Sequence, residues 1–144
     1  MTIKELYYRA THRPDGTYIN PLTHIFFYMT FVFGVAFTFF GYTDTVREAV
    51  LFSESQRQFG SWVLSAWGIC AMLVTVLNTT MIVFRKGWYF VPVLGFALWL
   101  YAVMIYLMGD FYFQILVAAV PNLLFWGWWY IRVRRYILWA RINL

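Results

Sequence analysis

Charge is what this chain has least of. Charged residues make up 12% of its 144 positions, with only six Asp and Glu, whereas soluble domains carry about 25%. No Lys, Arg, Asp or Glu falls in 16–43, 58–84, 87–109 or 111–131. These stretches therefore lack the usual parts of proton relays and ion-coupled carriers, and active proton pumping is not expected. Cysteine is almost absent as well. Cys70 stands alone, which excludes an intramolecular disulfide. The two histidines, His12 and His24, have no second His, Cys or carboxylate at helical ligand spacing. No metal site built by this chain alone is expected, and no cofactor. Nor can a nucleophile–base pair or a carboxylate pair be placed in one site, so an enzyme is not expected.

What the chain has instead is apolar surface: 62% of residues are hydrophobic and 24% aromatic. A helix needs roughly 20 mostly apolar residues to cross about 30 Å of hydrocarbon. Each charge-free stretch meets that length, and none alternates every second residue as a barrel strand would. The spacing predicts transmembrane helices near 22–42, 60–84, 88–108 and 111–131. The opening "MTIKELYYRATHRPDGTYINP" lacks an uninterrupted apolar core and contains Glu5 and Asp15. It does not read as a signal peptide, and the first span is expected to stay in the mature protein.

The positive charges set an orientation. Residues 1–21, 85–87 and 132–144 hold 3, 2 and 4 Lys or Arg, against 2 and 0 in 43–59 and 109–110. Because Lys and Arg are retained in the cytoplasm, both termini are expected there, with the protein in the inner cell membrane. The net charge of +5 is then a signal for topology and lipid headgroups. It is not a nucleic-acid footprint, since the basic residues flank spans instead of forming one patch.

The expected fold class is all-α: an integral membrane protein with four transmembrane helices, both termini cytoplasmic. It divides into an interfacial N-terminal segment (1–21), a transmembrane domain (22–131) and a basic tail (132–144). In the first segment "IKELYYRA" is expected to form a short interfacial helix, "RPDG" a turn, and Asn20-Pro21 the start of the first span. The stretch 43–59 mixes both charge signs and has room for a short helix lying on the membrane. The links "RKG" and "GD" are too short for anything but antiparallel neighbours. The longer first loop predicts one helix plus a three-helix bundle.

Faces can be assigned at 100° per residue. Ser61, Ser65, Gly68, Met72, Thr75 and Thr79 form a stripe of mostly small side chains, expected to let a neighbouring backbone approach. Asn78 lies off that stripe and could bond another helix or face a cavity. His24, Tyr28, Phe31, Val35, Thr38 and Tyr42 share a face that reads as two aromatic belts joined by an apolar stripe. His24 is there either a hydrated boundary residue or a functional one. Trp99 and Tyr101 lie at mid-depth, where polar groups of such side chains need partners.

The last span carries the most chemistry. Gln114, Ala118, Asn122, Phe125, Trp126 and Trp129 fall on one broad face. Pro121 cannot donate to the carbonyl of Val117. Amides, a freed carbonyl and flat indoles along one track would suit a neutral, planar, hydrogen-bonding solute. The competing reading has Asn122 bonded to a neighbouring helix and the tryptophans forming an interfacial belt.

The residues "LYAVMIYLMGDFYFQILVAAVPNLLFWGWWYI", 100–131, resemble the PnuC family of nicotinamide riboside transporters. The matching features are Leu100-Tyr101-Ala102, Asp110, Gln114, Asn122 and Gly127-Trp128-Trp129, with "RKGWYFVPVLGF" before them. The resemblance implies facilitated diffusion, with Gln114, Asn122, Trp128 and Trp129 contacting the solute. Trp126 and Tyr101 complete the candidate set. Tyr130 stands where the family often has Gln, and the chain departs from the family in length. Seven-helix members join two three-helix bundles by one helix, whereas this chain would supply one helix and one bundle. Half-length sugar carriers of the SWEET type dimerise, and their Pro-Asn pairs are similar to Pro121-Asn122. Three functions are open on the sequence. One is a half-size carrier of a nucleoside- or sugar-like solute, working as a homodimer. Another is a non-catalytic accessory subunit of a larger membrane complex. The third is a holin-like pore former.

Overall fold

The computed structural model describes residues 2–13, 16–40, 54–108 and 113–143, with side chains at 2–13, 16–39, 65–104 and 117–135. Among the described residues the protein is all-α. Its helices are α1 (Ile3–Thr11), α2 (Pro21–Phe40), α3 (Glu54–Val83), α4 (Phe90–Met108) and α5 (Phe113–Asn143). The expected surface helix in 43–59 lies largely outside the described residues, as do Asp44 and Asp110.

Helix α1 starts where local chemistry dictates. The Thr2 hydroxyl accepts from the Glu5 amide at 3.2 Å, and the Glu5 carboxylate accepts from the Thr2 amide at 3.1 Å. This reciprocal capping box satisfies two otherwise orphaned donors. After α1 the chain doubles back. The Ile19 amide donates to the Thr11 carbonyl at 2.8 Å, and His12 stacks on Tyr8 with centroids 4.1 Å apart. The nearby Tyr18 phenol is raised above its usual pKa, first by a hydrogen bond with Tyr7 and then by Tyr7's charge. Pro21 then opens α2, with the Asn20 side chain accepting from the Leu22 amide at 3.0 Å.

Helix α3 ends on a strained residue. Arg85 has φ +57°, a left-handed conformation that glycine adopts at far lower cost. Its amide donates to Ile82 at 3.4 Å and the Lys86 amide donates to Met81 at 3.0 Å, the two bonds of a Schellman turn. The strain aims a cation: Arg85 Nη1 donates to the His12 carbonyl at 2.7 Å. From the other side, Arg9 Nη1 reaches the Val83 carbonyl at 3.5 Å. The N-terminal segment is thereby pinned to the end of α3.

Helices α2 to α5 form a ring in chain order. The most extensive packing joins α2 to α3 and α4 to α5, with α3–α4 contacts next and a small α2–α5 contact closing the ring. This corrects the expected grouping of one helix plus three. Loop length suggested a loosely tethered first helix, but Gly34 of α2 and Gly68 of α3 bring those two backbones together. A Cβ built on Gly34 would lie 2.8 Å from the Gly68 carbonyl. Such an approach depends on two specific residues, and loop length carries no trace of it.

Among the described residues two stretches, Pro21–Phe39 and Ser65–Val83, are long and apolar enough to cross a membrane, and a shorter apolar one covers Phe90–Met104. The buried core is mainly apolar, with Phe27, Trp67, Val74, Trp99 and Trp126 among its members. Thr30, Asn78 and Asn122 are fully buried, while Ile25, Val32, Phe39, Leu73 and Leu124 are exposed. Large apolar side chains thus occur exposed on α2, α3 and α5 as well as buried in the core.

Candidate functional site

The centre of the ring is built from tryptophan. Trp99 of α4 and Trp126 of α5 both donate their indole N–H to the Thr30 hydroxyl of α2, at 3.2 and 3.1 Å. That hydroxyl in turn donates to the Phe26 carbonyl one turn earlier at 3.2 Å. One threonine oxygen thus uses its single donor and accepts twice, which fills its capacity. Trp129 of α5 donates to Asn78 Oδ1 of α3 at 2.8 Å. Trp67 of α3 donates to the Leu98 carbonyl of α4 at 3.0 Å.

These bonds have a geometric pattern. In a ring of four helices, α2 faces α4 and α3 faces α5 across the axis. Trp99–Thr30 bridges the first diagonal and Trp129–Asn78 the second. Trp126–Thr30 closes the α2–α5 seam, and Trp67–Leu98 ties α3 to α4. The remaining two neighbours rely on glycine. Gly34 and Gly68 join α2 to α3, and Gly95 of α4 lets the Trp126 ring lie against it, where a Cβ would fall 2.9 Å from Cε2. Every pair among the four helices therefore has its own specific tie.

Aromatic contacts fill the space between these bonds. Phe27 packs within 5.1 Å of Trp129 and 5.3 Å of Phe125, centroid to centroid. Trp67 meets Trp99 edge to face at 5.2 Å, a favoured aromatic geometry.

The sequence-derived candidates divide into those the fold collects and those it separates. Asn122, Trp126 and Trp129 are buried on one face of α5, as periodicity predicts. Their polar groups turn inward: the indoles bond to α2 and α3, and Asn122 Nδ2 donates to the Ala118 carbonyl of its own helix at 2.7 Å. Trp128 points to the opposite, outer face, 39% exposed, with the Arg132 guanidinium 5.2 Å above its ring. Pro121, Val117 and Leu124 share that outer face. The proline and its freed carbonyl acceptor therefore do not join Asn122 on one track. Tyr101 is exposed on α4, and among the described residues its hydroxyl has no partner. The Gln114 side chain lies outside those described.

Asn78 lies off the small-residue stripe, as expected, and is fully buried on the inward face that also carries the buried Trp67, Ala71 and Val74. Of its two open roles, the bond to another helix is the one observed. Thr30 was not singled out in the sequence. A lone threonine in an apolar helix carries no periodic signal, and the usable hint was elsewhere: buried indoles at mid-depth require acceptors. Four buried polar atoms lack partners among the described residues: His24 Nε2, Ser65 Oγ, Asn78 Nδ2 and Asn122 Oδ1.

Comparison with protein-family models, curated proteins and solved structures finds no match. The class of molecule is defined by its own geometry: an all-helical protein with a hydrogen-bonded tryptophan centre and an apolar exterior.

The shared hydroxyl gives a direct test. Thr30→Val keeps the side-chain shape and strands two indole donors. Each stranded buried group costs about 1–3 kcal/mol, toward the lower end where the unfolded chain finds other partners in lipid. Thermal melting in mild detergent is expected to show a loss of roughly 2 kcal/mol. Thr30→Ser, which restores the oxygen, is expected to melt close to the parent.

Proposed function

We propose that the chain is a four-span, multi-pass protein of the inner cell membrane, with both termini cytoplasmic, acting as a non-catalytic accessory subunit of a larger membrane complex. The observation that carries the accessory role is where the indoles are spent. A carrier needs donors and acceptors left open to a passing solute, and here Trp126, Trp129, Trp99 and Trp67 each donate to another helix of the same chain. The exterior is available instead. Val32 and Phe39 on α2, Leu73 and Val76 on α3, and Val117 and Leu124 on α5 offer apolar faces to lipid or a partner helix. The excess of Lys and Arg in the two termini and the α3–α4 link supports the orientation.

Gentle extraction followed by affinity purification tests this. Stoichiometric co-purification with larger membrane proteins is expected. Recovery of the chain as a lone species would overturn the accessory role.

The half-size homodimeric carrier remains the second reading, because Asn122 Oδ1 and Asn78 Nδ2 are buried without partners among the described residues. Buried polar atoms of that kind call for an explanation. Saturable uptake of a small neutral solute into vesicles holding only this chain, lost in Asn122→Ala with folding retained, would establish that reading instead.

A further inference from the structure

A groove of about 410 Å³ runs along the outside of α2 and α3, away from the tryptophan centre. Its size falls in the range of about 300–1,000 Å³ that ligand pockets occupy. Tyr28 and Phe31 of α2 line it on one side, Val76, Thr79 and Val83 of α3 on the other, and Leu6 of α1 adds to the lining. The threonines do not make it polar. Thr75, Thr79 and Thr80 donate their hydroxyls to the carbonyls of Ala71, Thr75 and Val76 at 2.9, 3.0 and 2.9 Å. With those hydroxyls turned back on the helix, the groove offers methyl groups and aromatic faces.

Cations border the groove beside Val83 and Phe84. Arg9, one turn along α1 from Leu6, lies at the Val83 carbonyl. Arg85 follows Phe84 and is held over the N-terminal segment, and Lys86 beside it is exposed. An apolar slot bordered by positive charge matches a molecule with a long apolar tail and an anionic head.

We infer that this groove is a binding site for an anionic phospholipid, with an acyl chain between α2 and α3 and the headgroup phosphate at Arg9 and Lys86. The site rests on the membrane reading above, and the two can fail separately.

The test uses native mass spectrometry of the full chain, released from detergent after incubation with equal phosphatidylglycerol and phosphatidylcholine of identical acyl chains. Two interfacial charges at about 1 kcal/mol each correspond to roughly thirtyfold preferential retention of phosphatidylglycerol. Removing both charges by Arg9→Gln with Lys86→Gln is expected to abolish the preference while both lipids still bind. Filling the groove by Thr79→Trp is expected to lower retention of both. Val76→Trp, at another exposed wall position, replaces it should the first variant fail to fold by circular dichroism. Equal retention of the two lipids by the parent chain, or unchanged retention in a folded groove-filled variant, would overturn the site. Release of the chain from membranes by alkaline wash would instead overturn the membrane reading.

Discussion

Trp126→Ala is expected to be the most damaging single truncation, costing about 3–5 kcal/mol. Trp126 is the largest side chain wholly shielded from solvent. Its ring lies against Gly95, with Phe27 and Phe125 at 5.6 and 5.7 Å. Alanine leaves a void that rigid helices cannot close, and it removes one of the two donors on Thr30. The cause can be separated from general instability by a double-mutant cycle with Gly95. Gly95→Ala alone places a methyl against the indole, 2.5 Å from Cε3, and is expected to destabilise. In the Trp126→Ala background that clash is gone and the same methyl enters the void, so the change is expected to be neutral or favourable. Melting in detergent would read both steps. Strict additivity would show that the two residues do not share the contact described.

The second large effect is expected at Gly68. A Cβ there would meet the Thr38 hydroxyl oxygen, the Gly34 carbonyl oxygen at 2.6 Å and the Thr38 amide at 2.8 Å. Two of these are backbone atoms of α2, so no rotamer change relieves the contact and the helices must part. Overpacking typically costs about 1–3 kcal/mol per site. Gly68→Ala is expected within that range and Gly68→Leu beyond it. Gly127 supplies the control, because a Cβ there would sit 3.5 Å from Phe96, an ordinary contact. Gly127→Ala is therefore expected to leave melting unchanged or slightly raised, Ala being the better helix former by about 1 kcal/mol. Equal losses at Gly68 and Gly127 would show that close approach at Gly68 is not the cause.

The helices were legible in the charge-free stretches, and the points of failure are physical. The expected span 22–42 corresponds to Pro21–Phe40, and 88–108 to Phe90–Met108. By contrast α3 begins at Glu54, ahead of the expected 60, and α5 continues to Asn143 through Arg132, Arg134 and Arg135. Charges limit how much of a helix suits hydrocarbon, but they do not end it. The left-handed Arg85 turn ends α3, whereas Pro121 lies inside α5 without ending it. The inward face of α5 followed from periodicity, because Asn122, Trp126 and Trp129 repeat at helical spacing. What they bond to did not follow. Thr30 and Asn78 belong to other helices, and a single sequence holds no record of which residues meet across a bundle. Trp128 matched the resemblance but lies outside, since adjacent positions on a helix diverge by 100°.

Thr30 also has a consequence for the order of assembly. Its indole donors come 69 and 96 residues later in the chain. A nascent α2 leaves the ribosome long before either donor exists, with its hydroxyl parked on Phe26. The early half can zip through its glycines, but the latch gains its first donor only with α4 and its second only with α5. A truncated product stopping before Trp126 would therefore be a half-fastened bundle, the state that quality-control proteases would meet first.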